Sequence, residues 1–232
     1  MSEDRSVLER DAPGPDETVG YGPAPDQVSD LWHGPGPTVA LVHGGFWRPE
    51  YDRVHLRPMA NALREAGWNV AAIEYRREPG RPDAAVEDVR AALAALGPAS
   101  GPMVVAGHSA GGHLALLASP REAAVLALAP VADLRLAHRL DLDEGAVADF
   151  LGRPPDERPD LDPVRLRPGA GRVTLVHGTD DERVPVEVSE SYVAVHPEVS
   201  LVRIPDAGHF VVIDPESEAW PVVLRELAAL AR

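Results

Sequence analysis

The chain has 232 residues, 44% of them hydrophobic and 25% charged, the proportions of a globular protein with one substantial core. Its 37 acidic against 22 basic side chains give a formal net charge of −15, and with no Lys/Arg-rich run this argues against nucleic acid and anionic membranes as partners. The absence of cysteine excludes disulfides, thiolate metal sites and a cysteine nucleophile.

Residues 1–18 are polar and rich in Pro and Gly, and read as a loose lead-in to a single domain over 19–232. The acidic opening stretch lacks the apolar segment of a secretory signal, and no apolar run reaches the roughly 18 residues of a membrane span. A cytoplasmic protein is therefore expected. TVALVHG (38–44) is a β-branched run stopping at glycine, which predicts a strand. HLRPMANALREAG (55–67) sets Leu56, Met59, Ala60 and Leu63 on one helical face, with Gly67 as its stop. NVAAIEY (69–75) is the next strand. In DAAVEDVRAALAALG (83–97) the apolar stripe of Val86, Val89, Leu93 and Leu96 predicts a helix ended by Gly97-Pro98.

MVVAG (103–107) reads as a strand and AGGHLALLA (110–118) as the helix behind it. AAVLALAPV (123–131), RVTLVHG (172–178) and SLVRIPD (200–206) are further strands, and a closing helix carries Pro221 in its first turn. Apolar strands alternating with amphipathic helices predict an α/β fold whose mostly parallel central sheet has helices on both faces. Residues 133–171 break this rhythm. They are rich in Asp, Pro and Arg around one short helical piece, EGAVADFLG, and are expected to form a short lid insertion between two strands.

The chemistry centres on GHSAGGH (107–113), between a strand and a helix. This matches the G-x-S-x-G nucleophile elbow, in which small neighbours permit a turn tight enough to lift the Ser109 hydroxyl clear of the sheet. A serine needs a base and a group that orients the base. In α/β hydrolases these follow in the order acid, then histidine, on loops after later strands. PDAGHF (205–210) follows the last predicted strand and supplies His209. HGTDDERVP (177–185) supplies two adjacent acids, Asp180 and Asp181, and Asp133 after an earlier strand is a third candidate. His43, His108, His113 and His177 sit at strand ends and turns and suit structural hydrogen bonding, while His138 and His196 are expected at the surface. One oxyanion donor is expected from the Ala110 amide and a second from Gly45 or Phe46, in the loop LVHGGFWR (41–48).

HGGFW, GHSAGGHLAL, HGTDD–VP and AGHF together resemble the kynurenine formamidase (arylformamidase) branch of the α/β hydrolases, near the small bacterial esterases, from about residue 18 to the end. The resemblance implies the α/β-hydrolase fold and a Ser109–Asp181–His209 triad, because the family pattern H-G-x-x-D-x-x-V-P lands on Asp181 and leaves Asp180 facing solvent. It also implies cofactor-free hydrolysis of N-formyl-kynurenine, as in tryptophan catabolism, or of simple aryl esters. Phe46 and Trp47, beside the oxyanion loop, are candidates for stacking on an aromatic amide or ester substrate. A general short-chain carboxylesterase is the alternative, and a binding protein on a hydrolase scaffold the non-enzyme one. DLDEG (141–145) lacks the glycine placement and closing glutamate of a calcium loop, and no zinc, dinucleotide or phosphate-loop motif occurs, so neither metal nor cofactor is expected. The oligomeric state is left open, a homodimer among the options.

Overall fold

A computed structural model describes residues 4–97 and 102–232, so Pro98, expected to help end a helix, lies outside the described residues. The elements run β1 (Glu17–Gly20), β2 (Val28–Trp32), β3 (Thr38–Val42), α1 (Arg57–Glu65), β4 (Asn69–Ile73), α2 (Pro82–Ala95), β5 (Met103–His108), α3 (Ala110–Ala118) and β6 (Ala124–Leu128). They continue with α4 (Leu134–Arg139), α5 (Ala146–Leu151), β7 (Val173–Gly178), α6 (Glu187–Val195), β8 (Ser200–Ile204) and α7 (Trp220–Leu230). The eight strands form one sheet in the order β1-β2-β4-β3-β5-β6-β7-β8. All pairs from β4 across to β8 are parallel, while β1–β2 and β2–β4 are antiparallel.

Burial explains why the central strands read as continuous apolar runs. Every residue of β3 is buried, and its side chains alternate between two cores: Ala40 and Val42 pack into one, Val39 and Leu41 into the other. Leu56, Met59, Ala60 and Leu63 are all buried, as the helical stripe requires. α1 stops at Gly67, φ +94°, where Gly67 N–H bonds the Arg64 carbonyl and Trp68 N–H the Leu63 carbonyl, a left-handed C-terminal cap.

Two strands went unread in the sequence, and two expectations need correction. The antiparallel strands β1 and β2 carry no clean apolar pattern. Asp30, in the middle of β2 and 1% exposed, is held by Arg53 Nη2 at 2.9 Å and Thr18 Oγ1 at 2.7 Å. A buried charge with distant partners reads locally as a surface residue. Residues 4–18 are not a loose lead-in throughout: Val7 is buried, Arg10 pairs with Asp214 near the far end of the chain, and residues 17–18 belong to β1. His196, expected at the surface, is 8% exposed and bonds the Val164 carbonyl at 3.2 Å.

Residues 133–171 leave the sheet between the parallel neighbours β6 and β7 and carry α4, α5 and three short 3-10 turns. Asp133 caps α4 by accepting from Leu136 N–H at 2.8 Å, and Asp162 accepts from Leu134 N–H at 2.9 Å. The insertion lies against the loop that follows β3, and that contact shapes the site.

Candidate active site

The turn between β5 and α3 is as tight as its glycines imply. A Cβ on Gly107 would lie 2.2 Å from the Gly111 carbonyl oxygen, and one on Gly111 would lie 2.1 Å from that of Val42. No side chain fits at either position. Ser109 sits at the tip with φ 55° and ψ −119°, a strained conformation for a residue with a side chain. Its own amide bonds the Leu128 carbonyl at 2.8 Å, and its carbonyl accepts from His113 at 3.1 Å, so the surrounding backbone holds the strain in place. Ser109 Oγ is buried and has no hydrogen-bond partner.

A cavity of about 520 Å³ opens above the elbow, lined among others by Ser109, His209, His108, Gly45, Phe46 and Phe210. His209 Nδ1 donates to Asp181 Oδ2 at 2.6 Å, with both side chains almost fully buried. The other carboxylate oxygen of Asp181 accepts from Arg183 N–H at 2.9 Å and Val184 N–H at 2.8 Å. Burial alone would push the Asp181 carboxyl upward. The neighbouring charge of His209 and hydrogen bonds from His177 and His209 outweigh it and hold this acid well below the usual carboxylate range.

The other candidate acids lie elsewhere. Asp180 is exposed and accepts from Thr179 Oγ1, and Asp133 accepts from Ser191 Oγ at 2.5 Å besides capping α4. Two histidines brace the pair. His177 Nε2 donates to Asp181 Oδ2 at 3.1 Å and to the Val184 carbonyl at 2.8 Å, while its Nδ1 accepts from Ser189 Oγ. His108 Nε2 donates to the His209 carbonyl at 3.1 Å, and burial holds its imidazole neutral.

The loop after β3 turns through three successive left-handed residues, Gly45 (φ 104°), Phe46 (φ 47°) and Trp47 (φ 56°), closed by Arg48 N–H on the Gly45 carbonyl at 2.9 Å. His43 bonds the Gly44 carbonyl and Glu74, both at 2.8 Å, and so anchors the start of the loop. Gly45 and Phe46 share the cavity with Ser109, and Ala110 opens α3, where no preceding turn supplies an acceptor for its amide.

Trp47 does not reach the cavity. It is 3% exposed and stacks on Phe150 of α5 at 4.3 Å, with its ring 5.1 Å from and edge-on to His113. The expectation that it binds substrate is corrected: an apolar partner in the insertion takes its face. Arg48, next in sequence, donates to the Asp143 side chain at 2.7 Å and to its carbonyl at 2.6 Å, tying the same loop to the same insertion. Sequence reasoning also missed Arg5 and Leu8, which line the cavity from the N-terminal segment. Nothing in their local pattern marks them, because the site reaches them only through the fold. Phe210 could have been found by its position directly after His209.

Among the described residues no group of three or more His, Asp or Glu is placed to hold a metal ion, and no helix is long and apolar enough to cross a membrane.

Comparison with known proteins agrees with this architecture. The BD-FAE family model matches residues 31–152. Esterase LipC of Mycobacterium tuberculosis is 28% identical, covering 82% of this chain and 58% of its own length. An acetyl-hydrolase of Streptomyces hygroscopicus is 38% identical over 43% of this chain and 37% of its own. The chain thus spans about half the length of these relatives or less. Among solved structures, esterase B of Lactobacillus rhamnosis superposes with a TM-score of 0.76 at 21% identity, over 97% of this chain and 90% of the other. The fold is that of the α/β hydrolases.

Proposed function

Because the chain belongs to the BD-FAE family and has the α/β-hydrolase fold, we propose that it is a serine carboxylesterase cleaving short-chain esters by two-step acyl transfer. One observation carries this reading. A serine held in strain at an elbow, its hydroxyl unpartnered, shares a cavity with a histidine bonded at 2.6 Å to a buried, ionised carboxylate.

Each group has a chemical task. Asp181 accepts from Nδ1 of His209, which fixes the tautomer with Nε2 as the basic nitrogen and stabilises the imidazolium formed during reaction. His209 takes the Ser109 proton as the hydroxyl attacks the ester carbonyl. The tetrahedral oxyanion is met by the amide of Ala110, at the positive end of α3, and by that of Gly45 or Phe46. His209 then protonates the departing alcohol, and water attacks the acyl-serine by the same route in reverse. The strained turn places the nucleophile before substrate arrives, so little reorganisation remains at the moment of reaction.

An ester is preferred to an aryl formamide as the substrate. Of the aromatic pair expected to stack on the substrate, Phe46 lines the cavity, beside Tyr51 and Phe210, while Trp47 stacks on Phe150. The relatives named as esterases and acetyl-hydrolase point the same way. The test is a panel of p-nitrophenyl acetate, butyrate and octanoate beside N-formyl-kynurenine, on purified protein. The reading expects the highest kcat/KM on acetate or butyrate. Faster cleavage of the formamide than of any ester would replace it with the amidase reading.

A further inference from the structure

We propose that the side chain of Phe46 is the partition that sets how long a substrate chain the site accepts. Phe46 and Arg183 line both the nucleophile cavity and a second cavity of about 400 Å³. Leu140, Leu142, Asp141, Asp143 and Glu182 form much of that second chamber. Leu140 is 45% exposed, so an apolar group stands open to whatever enters there, while the acidic groups surround it. The aromatic ring of Phe46, itself 6% exposed, is therefore shared with Arg183 between the space at Ser109 and a further one, and it is the apolar part of that boundary.

The backbone that carries the ring is held in place as well. Phe46 is the middle of three left-handed residues, and the two residues after it are both docked on the insertion, Trp47 on Phe150 and Arg48 on Asp143. Swinging Phe46 aside by moving its backbone would break that stack and that ion pair together. A wall held this way gives a sharp length limit, because a chain too long for the first cavity cannot displace it cheaply.

This inference rests on the esterase reading, and the experiment separates the two. Wild type, Phe46→Ala and Phe46→Leu are compared on two series that lengthen opposite ends of the ester: p-nitrophenyl esters from acetate to decanoate, and alkyl acetates from ethyl to octyl. In the series whose chain runs toward residue 46, Phe46→Ala is expected to raise the ratio of octyl- to butyl-length kcat/KM about tenfold, the scale of two further methylenes leaving water. Phe46→Leu should fall between wild type and Ala, and it carries the test if the Ala variant does not fold by circular dichroism. Equal losses at every length in both series would overturn the partition, since Phe46 would then serve only the loop's shape. A wild type that already prefers the longest chains would overturn it too. If wild type cleaves no member of either series, it is the esterase reading that fails.

Discussion

His209 and Asp181 are 28 residues apart in sequence, yet Nδ1 of one lies 2.6 Å from Oδ2 of the other. The same carboxylate is gripped by two backbone amides and by His177, so it has almost no freedom to turn away. Replacing Asp181 by Asn should lower kcat roughly 10⁴-fold, the loss seen when a triad histidine is left in the wrong tautomer. Asp180→Asn and Asp133→Asn should change kcat little. A large loss in Asp180→Asn with activity retained in Asp181→Asn would move the acid by one residue.

Ser109→Ala should leave no activity above roughly 10⁻⁴ of wild type while the fold persists, because it removes the hydroxyl that forms the acyl intermediate. A serine-directed phosphonate should add once, and peptide mass spectrometry should place the adduct on Ser109. Labelling at another residue would refute the assignment.

Trp47 makes a prediction about stability instead of substrate choice. Its indole is buried against Phe150 and His113, so Trp47→Ala should cost about 3–5 kcal/mol, read as a lower denaturation midpoint. The ratio of kcat/KM for phenyl acetate to that for ethyl acetate should stay the same. A selective loss on the aryl ester would mean that the indole touches substrate after all.

Asp162 gives a pH signature. It is fully buried, its Oδ1 accepts from Leu134 N–H and its Oδ2 has no partner. Burial pushes its pKa up to about 6, the Leu134 bond opposing and the nearby Asp133 adding to the rise. With the folded pKa above the unfolded one, the carboxyl is neutral in the fold at low pH. Stability is lost as pH rises from about 4 through about 6, because only the folded state then resists ionisation. The difference in melting temperature, Asp162→Asn minus wild type, should therefore grow between about pH 4 and about pH 6 and level off above that. A flat difference would show that the carboxyl does not titrate in that window.

What the sequence by itself determined is whatever short-range pattern encodes. The alternation of buried strands with striped helices carries the parallel sheet, because both periodicities follow from backbone geometry within a few residues. Gly107 and Gly111 carry the elbow around Ser109, since the turn admits no side chain at those two places. His209 and the adjacent acids Asp180 and Asp181 follow from the order in which strand ends deliver side chains to one edge of such a sheet, and the resemblance to the family pattern H-G-x-x-D-x-x-V-P singles out Asp181.

Tertiary structure alone decided where a side chain points once several partners compete for it. Phe46 and Trp47 are adjacent and both aromatic, yet one lines the cavity and the other stacks on Phe150, more than 100 residues further along. β2 was hidden because its buried Asp30 is neutralised by Arg53, and the N-terminal segment became a cavity wall through contacts such as Arg10 with Asp214. Hydrophobic burial is non-directional and ion pairs are set by the fold, so neither leaves a local trace in the chain that forms it.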